Sequence, residues 1–178
     1  LKPRLQSAYD DGIRAIAIVL MHGYRVITHE EKIAALAKTI GFSQISTSHA
    51  TSPIIKFVGR GDTTVADAYL SPILRRYIDR LATDLDGSAQ TKLQMMQSNG
   101  GLTDAALFQG KDAILSGPAG GIVGAVKTAK QAGFDKVITF DMGGTSTDVA
   151  HYDGGYERVF DTMVAGVRIH APMLLIHT

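Results

Sequence analysis

The chain of 178 residues contains no cysteine, which excludes disulfides, zinc–thiolate centres and a cysteine nucleophile among these residues. That fits a reducing compartment, and a cytoplasmic location is expected. No apolar run approaches the roughly 20 residues that cross a bilayer, so no membrane contact is expected. A net charge of +1 without a long basic run gives nucleic-acid binding little electrostatic support. Internal repeats and low-complexity tracts are also missing. What remains is ordinary: 45% hydrophobic and 20% charged residues, over a length that suits one domain or two small ones. The opening LKPRLQSAYDDG has neither an initiator Met nor a signal-peptide pattern. The closing APMLLIHT reads as a strand with nothing after it, so the chain is expected to be a piece of a longer protein.

The first 48 residues read as α-β-α-β. Residues 2–11 are helical in pattern, with Gly12 suited to the helix end. IRAIAIVL (13–20) is a near-continuous apolar run, as in a buried parallel strand. Thr28 and Glu31 form a capping-box pattern before a helix whose face is Ile33, Leu36 and Ile40 and whose stop is Gly41. QIST (44–47) is a second strand. SHATSPIIKFVGRG (48–61) has the Pro, Gly and Ser content of a boundary. Asp62 is then expected to cap a long helix, kinked at Pro72, with Val65, Tyr69, Ile73, Tyr77, Ile78 and Leu81 facing inward. Further on, KLQMMQ (92–97) and DAIL (112–115) read as strands, and TDAALF as a short helical piece. SGPAGGIVGAVKTAKQAG is a helix that starts near Pro118 and stops at Gly133. From residue 136 onward the pattern is an antiparallel meander, with a turn at Gly154-Gly155.

Two glycine-rich stretches carry the chemistry. In FDMGGTSTDV (140–149), glycines allow backbone N–H groups to approach an anion closely. Thr145, Ser146 and Thr147 add hydroxyls, and Asp141 at the strand end suits a hydrated Mg²⁺. Asp148 either orients a metal-bound water or caps the local backbone. A polar hairpin whose glycines supply positive φ explains the same spacing equally well, and the Gly-Lys-Ser/Thr ending of a P-loop is missing. In SGPAGGIVGA, Gly117, Gly120, Gly121 and Gly124 do not follow dinucleotide spacing. Close packing of this helix on another backbone is the favoured reading, with anion binding at its N-terminus as the other. The six histidines are scattered, and only His49, on the boundary stretch, stands out. His170 and His177 make a poor metal pair, and Asp62 with Asp67 share no helical face for acid–base work.

SNGG (98–101), LSGPAGGIVGA (115–125) and FDMGGTSTDV, in this order, resemble the hydantoinase A and 5-oxoprolinase family. SHATSP (48–53), RGDTTVADAYLSPILRRYI (60–78), YERVF (156–160) and AGVRIHAPML (165–174) extend the likeness over nearly the whole chain. The resemblance implies an α/β fragment of an actin-like ATPase fold, with two ribonuclease H-like halves around a nucleotide cleft. It divides the chain into four parts. Residues 1–58 end the first half, and 59–115 form a helical and strand segment of the hydantoinase A domain. Residues 116–135 form a connecting helix, and 136–178 begin the second half. It assigns Asp141 to Mg²⁺ and nucleotide, Gly143, Gly144 and Thr145 to phosphate, and Thr147 and Asp148 to the same loop. ATP and Mg²⁺ are the implied cofactors, and the implied reaction is ATP-driven opening of a cyclic amide such as 5-oxoproline or a hydantoin. The implied partner is a B-type subunit or fused second half. The family's first phosphate loop and its adenosine segment have no counterpart in these residues, so the chain alone is expected to be inactive. An exposed sheet edge in residues 1–58 is expected to favour homo-oligomers. A nucleotide-dependent chaperone or switch, or an ATP-dependent ketone carboxylase, are the alternatives.

Overall fold

The computed structural model describes residues 1–85 and 92–178. The chain divides into two compact units, each made of three stretches. The first holds Leu1–Gly87, Gln109–Lys111 and Asp161–Ala171; the second holds Ser88–Phe108, Asp112–Phe160 and Pro172–Thr178.

In the first unit, helix α1 (Lys2–Asp10) is followed by Gly12 at φ 94°. Strand β1 (Ala15–Ile18) pairs in parallel with β2 (Gln44–Thr47), Ala15 opposite Gln44 and Ile18 opposite Thr47. Between them α2 (Thr28–Ile40) ends at Gly41, φ 118°, a left-handed position that glycine occupies without a Cβ clash. The expected α-β-α-β order is present. The Thr28–Glu31 capping box is not: Thr28 already lies within α2, Ile27 is its N-cap, and no side chain caps it. The turn closed by Arg25 N and Val26 N donating to His22 O leads the chain into the helix before Thr28.

A short helix α3 (Ser48–Thr51) leads to α4 (Phe57–Asp84), which runs on through Pro72. Its N-cap is Lys56, so Asp62 is an interior helix residue and not the cap. Residues 48–61 sit wholly within the first unit, where a boundary was expected. The inward face of α4 also differs from expectation. Val65, Tyr69, Ile73 and Tyr77 are more than half exposed, while Gly59, Arg60, Thr63, Thr64, Asp67, Ala68, Ser71 and Ile78 are buried. Small side chains explain the reversal: they let neighbouring backbone come close, and the threonines satisfy themselves on the preceding turn. Thr63 Oγ1 donates to Gly59 O at 2.8 Å and Thr64 Oγ1 to Arg60 O at 2.7 Å.

This unit is organised by buried polar groups. Glu30 is fully buried and accepts from Leu20 N (2.9 Å), Ser48 Oγ (2.5 Å), His49 N (3.0 Å) and His49 Nδ1 (2.8 Å). Arg60, also fully buried, donates to the same Ser48 Oγ (2.9 Å) and to the carbonyls of Leu20, Met21, Ile54 and Ile55. Gly23 lies against Glu30 so closely that a Cβ there would collide with the carboxylate. Buried Asp67 accepts from Ser46 Oγ (2.6 Å), Ser71 Oγ (3.3 Å) and Lys111 N (3.1 Å), and Gly110 N donates to Ser71 Oγ (3.0 Å). The hairpin of β8 (Thr162–Val164) and β9 (Val167–Ile169) joins through His170. His170 N donates to Thr63 Oγ1, and Ser52 Oγ donates to His170 O, each at 2.8 Å.

The second unit begins with the antiparallel pair β3 (Gln94–Met96) and β4 (Leu102–Asp104) and a 3₁₀ turn, Ala105–Leu107. DAIL is not a strand: α5 (Gly110–Ala113) covers its first half and a turn the rest. Ser98 folds this stretch around itself, its N and Oγ donating to Asp112 O while Leu115 N donates back to Ser98 Oγ. Helix α6 (Ser116–Gln131) then packs Ala119, Ile122 and Val126 against Ala150, Tyr152 and Leu174. Strands β5 (Lys136–Met142) and β6 (Thr147–Asp153) form the expected hairpin. The strands after β6 do not continue it as one meander. β7 (Arg158–Val159) pairs with β10 (Met173–Leu174), whereas β8 and β9 belong to the first unit. The bonds of Thr63 and Ser52 to His170 supply the physical reason.

Removing the Arg60 guanidinium leaves four carbonyls and Ser48 short of a donor in a dry interior. Arg60→Met is expected to destabilise the protein by about 3–5 kcal/mol, read as a lower urea midpoint. Stability should also depend on pH. Burial alone would raise the Glu30 carboxyl, but donors from Ser48, the His49 and Leu20 amides and the His49 ring hold it below its ordinary value of 4.5. The folded state therefore binds fewer protons than the unfolded chain. The stability this contributes is full above pH 4.5 and is lost as pH falls from there through the lower folded value. The urea midpoint should decline across that window, and less steeply in Glu30→Gln.

Candidate functional site

The β5–β6 hairpin pairs every residue from Lys136↔Asp153 to Met142↔Thr147, which leaves Gly143–Ser146 as a four-residue loop. Gly143 N donates to Ser146 O at 2.9 Å and closes it. Among the described residues, the N–H groups of Gly144, Thr145 and Ser146 have no protein acceptor, and the loop is exposed. The hydroxyls of Thr145, Ser146 and Thr147 are likewise free of protein partners among these residues.

The φ values separate the two readings that spacing leaves level. Neither Gly143 nor Gly144 has positive φ, in contrast to Gly154 at 79° in the next turn. A Cβ at Gly143 would meet only Ser146 O at 3.6 Å, an ordinary contact, and one at Gly144 would meet nothing within 4 Å. The hairpin itself therefore needs glycine at neither position, and the reading in which they supply positive φ fails. What two missing Cβ atoms do provide is access to the loop amides from outside.

Asp141 and Asp148 are direct cross-strand partners, so their side chains share one face of the hairpin. Both line a cavity of about 180 Å³ with Thr139 and with Pro118, Gly121, Ile122 and Ala125 of α6. Like charges opposite each other on adjacent strands repel, which a cation between them would offset. No group of three or more His, Asp or Glu side chains able to hold a metal occurs among the described residues. A metal here would thus complete its shell with water and ligand oxygens, the coordination habit of Mg²⁺. The residues fit that ion better than one demanding an all-protein cage.

The glycines of α6 do not pack on another backbone within the described residues. A Cβ at Gly117, Gly121 or Gly124 would meet nothing within 4 Å, and at Gly120 only Met96 Cγ at 3.6 Å. Gly117, Gly121 and Gly124 fall on one helical face, and Gly121 opens onto the cavity beside Asp141. This bare face leaves room in front of the two carboxylates.

All six expected site residues, Asp141, Gly143, Gly144, Thr145, Thr147 and Asp148, thus lie at one hairpin end. The reading of His49 as a loop residue misses the buried Glu30 that holds its ring. A charged residue set among small ones, as Arg60 is between Gly59 and Gly61, is the available signal for the cluster. Replacing Gly121 or Gly144 with Ala should leave stability unchanged or raise it by about 0.4–1 kcal/mol, since no strain or clash results. Thermal unfolding of the two variants checks this.

A family model described as hydantoinase/oxoprolinase matches residues 60–178. The chain is 46% identical over 180 residues to the 5-oxoprolinase of Saccharomyces cerevisiae, a match covering 98% of this chain and 14% of that protein. It is 34% identical to caprolactamase subunit alpha of Pseudomonas jessenii, covering 93% of this chain and 25% of that one. The solved ATP-dependent caprolactamase of Pseudomonas jessenii superposes with a TM-score of 0.83 at 31% identity, over 99% of this chain and 27% of that chain. Nucleotide-free acetone carboxylase gives 0.85 at 21% identity, over 99% and 26%, a likeness of fold alone. These likenesses bear out the α/β, actin-like ATPase fold expected for the chain. The chain spans about 14% of the length of the 5-oxoprolinase it matches.

Proposed function

The chain belongs to the hydantoinase/oxoprolinase family, and from that membership we propose that it supplies a phosphate and Mg²⁺ loop to an ATP-driven opening of cyclic amides. The observation that carries this reading is the pair Gly143 and Gly144, which the hairpin does not require and which leave the loop amides approachable beside two facing carboxylates. In this reading Gly143, Gly144 and Thr145 cradle phosphate oxygens through their backbone N–H groups. Asp141 holds Mg²⁺ through water, with Asp148 opposite it and Thr147 beside the loop. Mg²⁺ would neutralise phosphate charge, and the protein would fix where that charge sits.

The chemistry explains the nucleotide. A lactam carbonyl is stabilised by resonance with its nitrogen, so water attacks it very slowly. Phosphorylating the amide oxygen removes that resonance and leaves a carbon that water can reach. The substrate class is a cyclic amide such as 5-oxoproline or a hydantoin. The greater sequence likeness to 5-oxoprolinase and caprolactamase than to acetone carboxylase supports amide over ketone. A second subunit or fused domain is the proposed partner, in keeping with a relative named as an alpha subunit. The four-part division of the chain, with a connecting helix over 116–135, belongs to the same proposal.

The test is made on the full-length protein containing this chain, with ATP and 5-oxoproline, a hydantoin or acetone as substrates. ATP-dependent ring opening is expected, with Asp141→Ala lowering kcat/KM at least 100-fold, about 2.7 kcal/mol in transition-state stabilisation. Gly144→Ala should weaken Mg²⁺-ATP binding while thermal stability holds. Carboxylation of acetone without turnover of any cyclic amide would refute the reading.

A further inference from the structure

The parallel pair β1–β2 has no third strand among the described residues, so the outer edge of β2 is open. Which groups face that edge follows from the register. Gln44 N donates to Arg14 O, and Ala15 stands opposite Gln44. In a parallel ladder the residues then alternate, so Gln44 and Ser46 turn their N–H and C=O groups toward β1. Ile45 and Thr47 turn theirs outward, and their N–H groups have no acceptor among the described residues. The side chains alternate as well. Ser46 Oγ donates to Asp67 of α4, which puts the Ile45 and Thr47 side chains on the opposite face, toward α2. There they line a groove of about 350 Å³ with Glu31, Ala34, Ala35 and Lys38 of α2. QIST carries no charge or proline, and its register has no bulge, so the usual guards against edge pairing are missing from the strand.

The groove is complementary to itself. Glu31 and Lys38 stand about two helical turns apart on α2, with Ala34 and Ala35 midway between them. Both charged side chains are exposed and have no protein partner among the described residues. A two-fold axis between Ala34 and Ala35 sets Glu31 of each copy opposite Lys38 of the other, and the small alanines let the helices approach closely. A two-fold axis at Ser46 sets Ile45 of each strand opposite Thr47 of the other, in antiparallel pairing. The groups exchanged there are the outward N–H and C=O groups that β2 leaves open. Both midpoints border the one groove, so a single axis serves helix and strand together. We propose that two copies of the protein pair along this edge, β2 continuing into the β2 of the second copy as one sheet. Glu31–Lys38 ion pairs between the α2 helices fix the register. A shifted register that brings Glu31 against Glu31 is opposed by repulsion.

The test uses the full-length protein containing this chain, in sedimentation velocity over a concentration series. Wild type is expected to form a dimer whose population grows with concentration. Glu31→Lys and Lys38→Glu each set like charges against each other on both sides of the axis. Each should raise the dimer Kd about tenfold or more. Circular dichroism and Tm should hold, because both side chains are exposed. Mixing the two variants is the decisive arm. In the mixed dimer every introduced charge faces an opposite one, so association should return to within about threefold of wild type. Ile45→Pro removes an outward N–H without touching the β1 ladder, and should weaken pairing to a similar degree. A wild-type protein that stays monomeric at every concentration overturns the proposal and assigns the edge to another segment of the same chain. A dimer indifferent to all these substitutions overturns it as well, since the copies then meet elsewhere. A mixture that fails to recover overturns the two-fold register.

Discussion

Everything in the first unit depends on one hydroxyl oxygen, Ser48 Oγ, which accepts from Arg60 and donates to Glu30. Neither charged group is exposed, and they do not pair directly with each other. Each is instead saturated by neutral backbone and hydroxyl groups, so that desolvation is offset by many short bonds rather than by one Coulombic contact. Arg60 reaches the carbonyls of both 20–21 and 54–55, which ties the loop after β1 to the approach to α4. The geometry of the strand ends, and of His49 with them, is a consequence of that tie.

The second unit works by the opposite device. Its core is apolar, around Ile122, Val126, Tyr152 and Leu174, and its open hairpin end is made by leaving side chains out. Gly121 on the helix and Gly144 in the loop face open space, and the two aspartates stand opposite each other at the rim. Emptiness there has a cost in helix propensity that packing within the chain does not repay.

The regular parts of this fold are legible in the sequence because they rest on local rules. The stops at Gly41 and Gly133, the strand QIST and the hairpin at 136–153 derive from φ preference and alternation over short distances. The departures share a different cause. The apolar stripe of α4 suggests one orientation, yet the face that packs is the one with Gly59, Thr63, Thr64 and Ala68, where closeness of approach outweighs hydrophobic area. DAIL has the composition of a strand, but the single residue Ser98 wraps it into a turn. The meander breaks because its middle hairpin is claimed by hydroxyls more than a hundred residues earlier, as Thr63 and His170 show. Periodicity carries no information about a partner so far along the chain. The glycine pair is ambiguous in sequence for a related reason, since only the φ values separate a turn requirement from an open approach.

The claim of Thr63 and Ser52 on His170 also sets an order of events during synthesis. The separations along the chain are 107 and 118 residues, so these bonds close very large loops. The amino-terminal helices and strands leave the ribosome long before the hairpin that completes their unit, and the bulk of the second unit emerges in between. Until then the buried face of α4, with Gly59 bare and Thr63 Oγ1 without the His170 N–H it later accepts, is an unfinished surface on a nascent chain. At a typical elongation rate of about 5–20 residues per second, it stays open for roughly 5–25 seconds. A polypeptide built this way must either tolerate a long-lived intermediate or have it shielded, and that places its folding among the slow, chaperone-sensitive class set by long-range topology.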